Sequence, residues 1–223
     1  YTVTPTASCT MVFSVGQEGI VSGLRGVNTR ACVVGGHANR FDMLLLVEFH
    51  PGGLYPFVPL AQSQLVDTGF SMQDVDVLLE RRVREALETA ESVPQLWARL
   101  NALFLARLEA ARSPALAEAM ETLLASRGAV GSKALAQKIH YSEKHLGRLF
   151  RQQVDIGVHT FGRIVRFNHA LQLMQKGSLA QTAQLAGYFD QPHFIRDFTA
   201  LCGLPPATYL KKRSIFYNDT FRM

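Results

Sequence analysis

The sequence has no uninterrupted apolar run approaching the roughly eighteen residues a membrane-crossing helix needs. It is poor in cysteine: Cys9, Cys32 and Cys202 are scattered, which excludes a disulfide framework and a cysteine zinc cluster. A reducing, cytoplasmic setting is therefore the default expectation. No secretory leader is visible, and because the chain begins at Tyr1, what precedes it stays open. No low-complexity tract occurs. His37 and His50, with Cys9 and Cys32, could converge, but at no recognised metal-ligand spacing, so no metal and no cofactor is expected. Pro51-Gly52-Gly53 lacks the lysine and following helix of a phosphate-binding loop and reads as a tight turn.

Acidic residues are also scarce, but only in one half. Residues 127–223 hold 14 Lys+Arg against 5 Asp+Glu, whereas residues 1–126 hold 9 against 13. The halves thus carry +9 and −4. A break this sharp argues for two domains, the second facing a polyanion; the bland alternative is a basic surface that only aids solubility. The 223 residues, 48% hydrophobic and 18% charged, suit a soluble globular protein with one large or two small domains.

The first seventy residues read as β. "TMVFSV", "ACVVGG" and "MLLLVEF" are short runs rich in Val, Leu and Phe between Gly, Asn and Asp punctuation, and "HPGGLYPF" interrupts them. From Ser71 the period becomes helical. "SMQDVDVLLERRVREALETA" begins at a Ser cap, and its Arg81, Arg82 and Arg84 among glutamates suggest a solvated face with i,i+4 pairs. After Pro94, Trp97, Leu100, Phe104 and Leu108 fall on one helical face. That stripe is expected to be core or dimer seam rather than a ligand pocket.

Ser113-Pro114 opens another helix, stopped by Gly128. Further starts are expected at Ser132, Ser142, Thr160, Ser178 and Asp190, with stops at Gly177 and Gly203 and a last short helix after Pro205-Pro206. Within this region "LAQKIHYSEKHLGRLF" and "TAQLAGYFDQPHFIRDF" repeat one plan. Each gives a short helix with an inward Ala (Ala136, Ala183), a tight turn, a Ser or Asp cap, and a second helix with apolar residues at i and i+4. These pairs are Leu146/Phe150 and Phe194/Phe198, and each second helix has an Arg six residues past its cap, Arg148 and Arg196. The plan is that of two helix-turn-helix units, each second helix anchored on its apolar pair and presenting its polar face outward. In a major groove, Arg can bond guanine O6 and N7, Gln, His or Ser can reach other base edges, and Lys can meet phosphates.

At these residues the chain resembles the AraC/XylS family of bacterial transcription regulators. "AGYFDQPHFIRDFTALCGLPPATYL" follows that family's second-unit signature, and "LAQKIHYSEKHLGRLF" with "RIVRF" follows its first unit and joining helix. The resemblance covers roughly residues 116–213. It implies an α+β chain, with residues 1–110 a β-rich, degenerate small-barrel sensor with a helical dimerisation element. Residues 111–223 would then be a seven-helix, double helix-turn-helix DNA-binding domain. It further implies recognition helices at about 142–154 and 190–202. The DNA-facing candidates are Ser142, Lys144, His145 and Arg148 in the first unit, Gln191, His193 and Arg196 in the second, and Lys211, Lys212 and Arg213 toward the backbone.

Double-stranded DNA and RNA polymerase are the implied partners; a small-molecule effector and a homodimer are left open. Departures from the family pattern are Gly147 and Pro192, which offer no polar side chain, Asp155 in place of the usual Gly, and Val158-His159 in place of Pro-Lys. An enzyme alternative, an alkyl-accepting DNA-repair protein, would need clustered zinc-bound cysteines that Cys9 and Cys32 do not supply. A partner-binding protein that has lost DNA binding is disfavoured by Arg148, Arg196 and the basic balance.

Overall fold

The computed structural model describes residues 2–33, 41–58, 64–108 and 114–212; His37 and Arg213 lie outside them. Among the described residues the N-terminal part carries six strands: β1 (Thr2–Val3), β2 (Thr10–Gly16), β3 (Gly19–Arg25), β4 (Cys32–Val33), β5 (Met43–Glu48) and β6 (Gly69–Ser71). They form an antiparallel four-stranded sheet in the order β5-β2-β3-β6 and a separate β1-β4 pair. Among the described residues the sheet does not close on itself. β2 is one of the two inner strands, and alternation puts its Met11 and Phe13 fully inside. The hairpin partner β3 was not anticipated, because "GIVSGLR" is interrupted by glycine and polar residues; it is specified by pairing with β2 along its whole length.

Three helices follow: α1 (Met72–Val75), α2 (Val77–Thr89) and α3 (Val93–Arg107). The single helix expected from Ser71 is broken at Asp76. Asp76 sits in extended backbone (φ −154°) and its carboxylate accepts from the Leu79 amide, which restarts the helix. Arg107, at the end of α3, pairs with the same carboxylate. On α2, Arg84 pairs with the buried Glu80 at i,i+4 spacing, and Ser22 of β3 donates to Glu80 at 3.1 Å. That pairing fixes α2 to the sheet.

Among the described residues seven helices follow: α4 (Pro114–Ala125), α5 (Ser132–Lys138), α6 (Glu143–Gln153), α7 (Val158–Leu173), α8 (Leu179–Leu185), α9 (Gln191–Cys202) and α10 (Pro206–Lys212). Ser142, Ser178 and Asp190 cap as expected, Ser178 through a reciprocal capping box with Gln181, and Gly203 ends α9 in a left-handed conformation (φ 73°). Three boundaries differ. Gly131, not Ser132, is the N-cap of α5, and Ser132 instead donates its hydroxyl to Glu143 at 2.6 Å. α7 starts from Gly157, so Thr160 lies inside it, and it ends at Leu173, four residues before Gly177.

The buried apolar residues divide unevenly. One continuous core runs from Ala7 and Met11 through Phe49, Leu79 and Leu100 into Leu146, Phe150 and Phe161. A second gathers around Phe167, Phe194, Phe198 and Tyr209. α7 contributes to both.

Candidate nucleic-acid interface

The two helix-turn-helix units are built alike, atom by atom, at their turns. In each, an Ala on the first helix is buried (Ala136, Ala183), and its carbonyl accepts from the amide five residues on, Tyr141 and Tyr188, at 2.9 Å. Each turn needs one left-handed residue, His140 (φ 58°) in the first and Gly187 (φ 76°) in the second. The second helix then starts on a side-chain cap: Ser142 accepts from the His145 amide at 3.2 Å, and Asp190 from the His193 amide at 2.6 Å. Leu146, Phe150, Phe194 and Phe198 are fully buried, each worth about 1.5–3 kcal/mol of burial. The anchor pairs therefore decide which way α6 and α9 face.

The opposite faces are wet. Lys144, Arg148 and Arg196 are exposed, as are Ser142 and, on α10, Lys211 and Lys212; His145, Gln191 and His193 are half-buried. Arg148 is pre-set by its neighbours: it donates to His145 Nδ1 at 3.3 Å, and the His145 ring rests on Tyr141 at 4.7 Å. His193 is more committed than its sequence position suggests. Its Nδ1 accepts from the Phe189 amide at 3.4 Å and its ring stands edge-on to Tyr188 at 5.4 Å, so only Nε2 is turned outward as a donor. Gly147 packs nothing closer than the Arg151 guanidinium, and Pro192 is exposed.

Two features of this half carry no local sequence signal. The first is polar: Arg163 on α7 pairs with Asp197 on α9 at 2.5 Å, and Tyr188 donates its hydroxyl to Asp197 Oδ2 at 3.3 Å. Burial, with Asp197 beside it, pushes the Tyr188 hydroxyl well above its usual pKa. The second is where the N-terminal half touches. The Cys9 thiol lies 3.9 Å from Asp155 Oδ2, immediately past α6, and Gly52 approaches Gln153 so closely that a Cβ there would sit 2.8 Å from its carbonyl oxygen. Ala31 donates its amide to the Leu201 carbonyl on α9 at 2.7 Å. The sheet side thus contacts the C-terminal ends of both second helices. Among the described residues no group of histidines, cysteines or carboxylates is arranged to hold a metal. Nor is any helix long and apolar enough to cross a membrane.

A family model described as a helix-turn-helix domain matches residues 135–212, the span containing both units. Both repeats of the plan therefore lie within the segment that is similar to helix-turn-helix domains.

No curated protein matches the chain. Among solved structures, the C-terminal domain of AraT, a response regulator from Geobacillus stearothermophilus, is 22% identical and covers 51% of this chain and 98% of its own, with a TM-score of 0.44. An AraC-type transcriptional regulator from Chromobacterium violaceum is 25% identical over 46% of this chain and 94% of its own, TM-score 0.42. ToxT from Vibrio cholerae is similar over 95% of this chain and 93% of its own at 11% identity, TM-score 0.45.

Proposed function

We propose that the chain is a DNA-binding transcription regulator that reads two successive major-groove faces with α6 and α9, and that its N-terminal part controls how the two helices are presented. One observation carries the reading: two helices with equivalent turns, side-chain caps and buried apolar pairs turn Arg148 and Arg196 to solvent at equivalent positions, on the half that holds the +9 balance. Arg148 and Arg196 are the base readers, supported by Lys144, His145 and Gln191 and by the outward Nε2 of His193. Ser142 caps α6 and leaves its first-turn amides toward phosphate. Lys211 and Lys212, with Arg213 beyond the described residues, suit backbone contact.

Residues 1–110 serve as the regulatory domain and 111–223 as the DNA-binding domain. The contacts at Asp155, Gln153 and Leu201 support regulation, because any shift of the sheet bears on both second helices at once. RNA polymerase is the downstream partner in this reading, with a small-molecule effector or a homodimer as the means of control and the cytoplasm as the compartment.

The test is selection of bound sites from a random library by the full chain and by Arg148→Ala and Arg196→Ala. A bidentate Arg–guanine contact discriminates by roughly 1–3 kcal/mol. Each variant should lose preference at its own patch of base pairs, the two patches lying about 10 bp apart. Unchanged motifs, or loss of the same base pairs by both variants, would reject the two-helix reading.

A further inference from the structure

We propose that Asp197 is a positioning residue that fixes the distance and phase between the two recognition helices, and so sets the spacing of the two DNA boxes the protein accepts. The inference rests on the two-helix reading above. Asp197 follows Arg196 on α9 but turns away from it, inward, onto α7. Its Oδ1 accepts from Arg163 Nε at 3.0 Å and Nη2 at 2.5 Å, and its Oδ2 accepts from the Tyr188 hydroxyl in the turn before α9. One carboxylate therefore holds the start, the middle and the support of the second recognition helix together.

The network continues along α7 to the connection that leads into the first unit. Arg166, one turn along α7 from Arg163, lies with its guanidinium 5.6 Å from the Tyr188 ring centre and donates to the Gly128 carbonyl at 2.8 Å. Gly128 ends the α4 region at φ 75° and packs against Gly162 of α7 so tightly that a Cβ would come within 2.1 Å of its carbonyl oxygen. The path Gly128–Arg166–Tyr188–Asp197–Arg163 joins the α4–α5 connection, just ahead of the first unit, to the recognition helix of the second through α7, whose Phe161 packs edge-on against Phe150 of α6 at 5.6 Å. Apolar contacts alone would allow α9 to roll on the Phe167–Phe198 stack, since dispersion is not directional; charge-assisted hydrogen bonds with a forked guanidinium are.

A single added or removed base pair rotates one box against the other by about a tenth of a helical turn. A clamped pair of helices should reject such sites, whereas an unclamped pair should accept them. The experiment takes a site selected by the full-length protein and measures affinity for it with the boxes at the native spacing, one pair closer and one pair further apart. The wild type should lose at least tenfold at either altered spacing. Asp197→Asn and Tyr188→Phe, checked for folding by thermal denaturation, should bind the native site more weakly but lose less than threefold on changing the spacing. Arg163→Gln should act alike in the wild type and add nothing in the Asp197→Asn background. Folded variants that retain the wild-type spacing preference, or effects of Arg163 and Asp197 that add independently, would overturn the proposal while leaving the two-helix reading intact. A wild type indifferent to spacing would instead remove that reading itself.

Discussion

Single residues decide both the likeness of the two units and one of their differences from each other. The first turn accommodates His140 in a left-handed conformation that glycine supplies in the second, at a cost of about 1–2 kcal/mol for a residue with a Cβ. Asp155 is a second such residue (φ 74°), and it also carries an electrostatic penalty. Its carboxyl is buried, Oδ1 has no partner among the described residues, and the donor to Oδ2 is the Cys9 thiol, itself pushed up to about 12 by burial and therefore protonated at neutral pH. Desolvation raises Asp155 from its ordinary 3.8 to about 7, with the Cys9 hydrogen bond opposing the shift. Below about pH 4 the group is protonated in the folded and unfolded chain alike. From there to about 7 the unfolded chain releases its proton and the native one keeps it, so stability declines as pH rises, then levels off. Asn keeps the left-handed backbone and removes the charge. Asp155→Asn should therefore stabilise the protein by about 1–3 kcal/mol at pH 8, the scale of relieving one buried unsatisfied polar group, and by clearly less at pH 5. Urea unfolding at the two pH values measures it, and an equal gain at both would show that ionisation is not the cause.

At the scale of elements, what could be read from the sequence was what is local. Caps with a side chain that reaches its own N2 or N3 amide, such as Ser142, Ser178 and Asp190, are short-range chemistry, and so are the buried pairs Leu146/Phe150 and Phe194/Phe198. Boundaries set from outside were misplaced: Ser132 gives its hydroxyl to Glu143 rather than to its own helix, and Gly157 starts α7 with no side-chain cap. β3 and the Arg163–Asp197 pair depend on partners distant in sequence, which periodicity does not encode. The stripe on α3 shows the same division. Leu100 is 3% exposed and Phe104 stacks edge-on with Phe49 and Phe57, but Trp97 is 58% exposed and Leu108 56%. One half of the face seals the core; the other half, with Val93 and Leu105, is open. Leu100→Glu would bury an unpaired charge and should unfold the N-terminal part. Trp97→Glu should leave the melting temperature within a degree or two and, if this face joins two subunits, shift sedimentation from dimer toward monomer. A Leu100→Glu protein that melts like the wild type would contradict the packing of α3.

Over the whole molecule, the sheet and the first helix-turn-helix unit share one core while the second unit has its own, so the charge boundary near residue 126 does not coincide with the packing boundary. Charge is distributed for the partner, apolar area for the fold. The +9 half presents Lys144, Arg148, Arg196, Lys211 and Lys212 exposed, with few carboxylates to offset them, and of those Asp197 is spent internally on Arg163. Such a surface binds DNA largely by releasing condensed counterions, which gives log K a linear fall with log[salt] of about 0.9 per phosphate neutralised. Base readers and backbone contacts then separate by their salt response. Lys211→Ala with Lys212→Ala should weaken binding to specific and random duplexes by the same factor and reduce the slope by close to 0.9 for each lysine that meets a phosphate. Arg148→Ala should weaken binding mainly to the selected site, with the slope nearly unchanged, because a contact to guanine O6 and N7 displaces no phosphate counterion. Fluorescence anisotropy on both duplexes between about 50 and 200 mM salt resolves the two behaviours. If removing the α10 lysines changes sequence preference and not the slope, α10 lies in a groove rather than along the backbone, and the assignment of roles between α10 and the recognition helices is reversed.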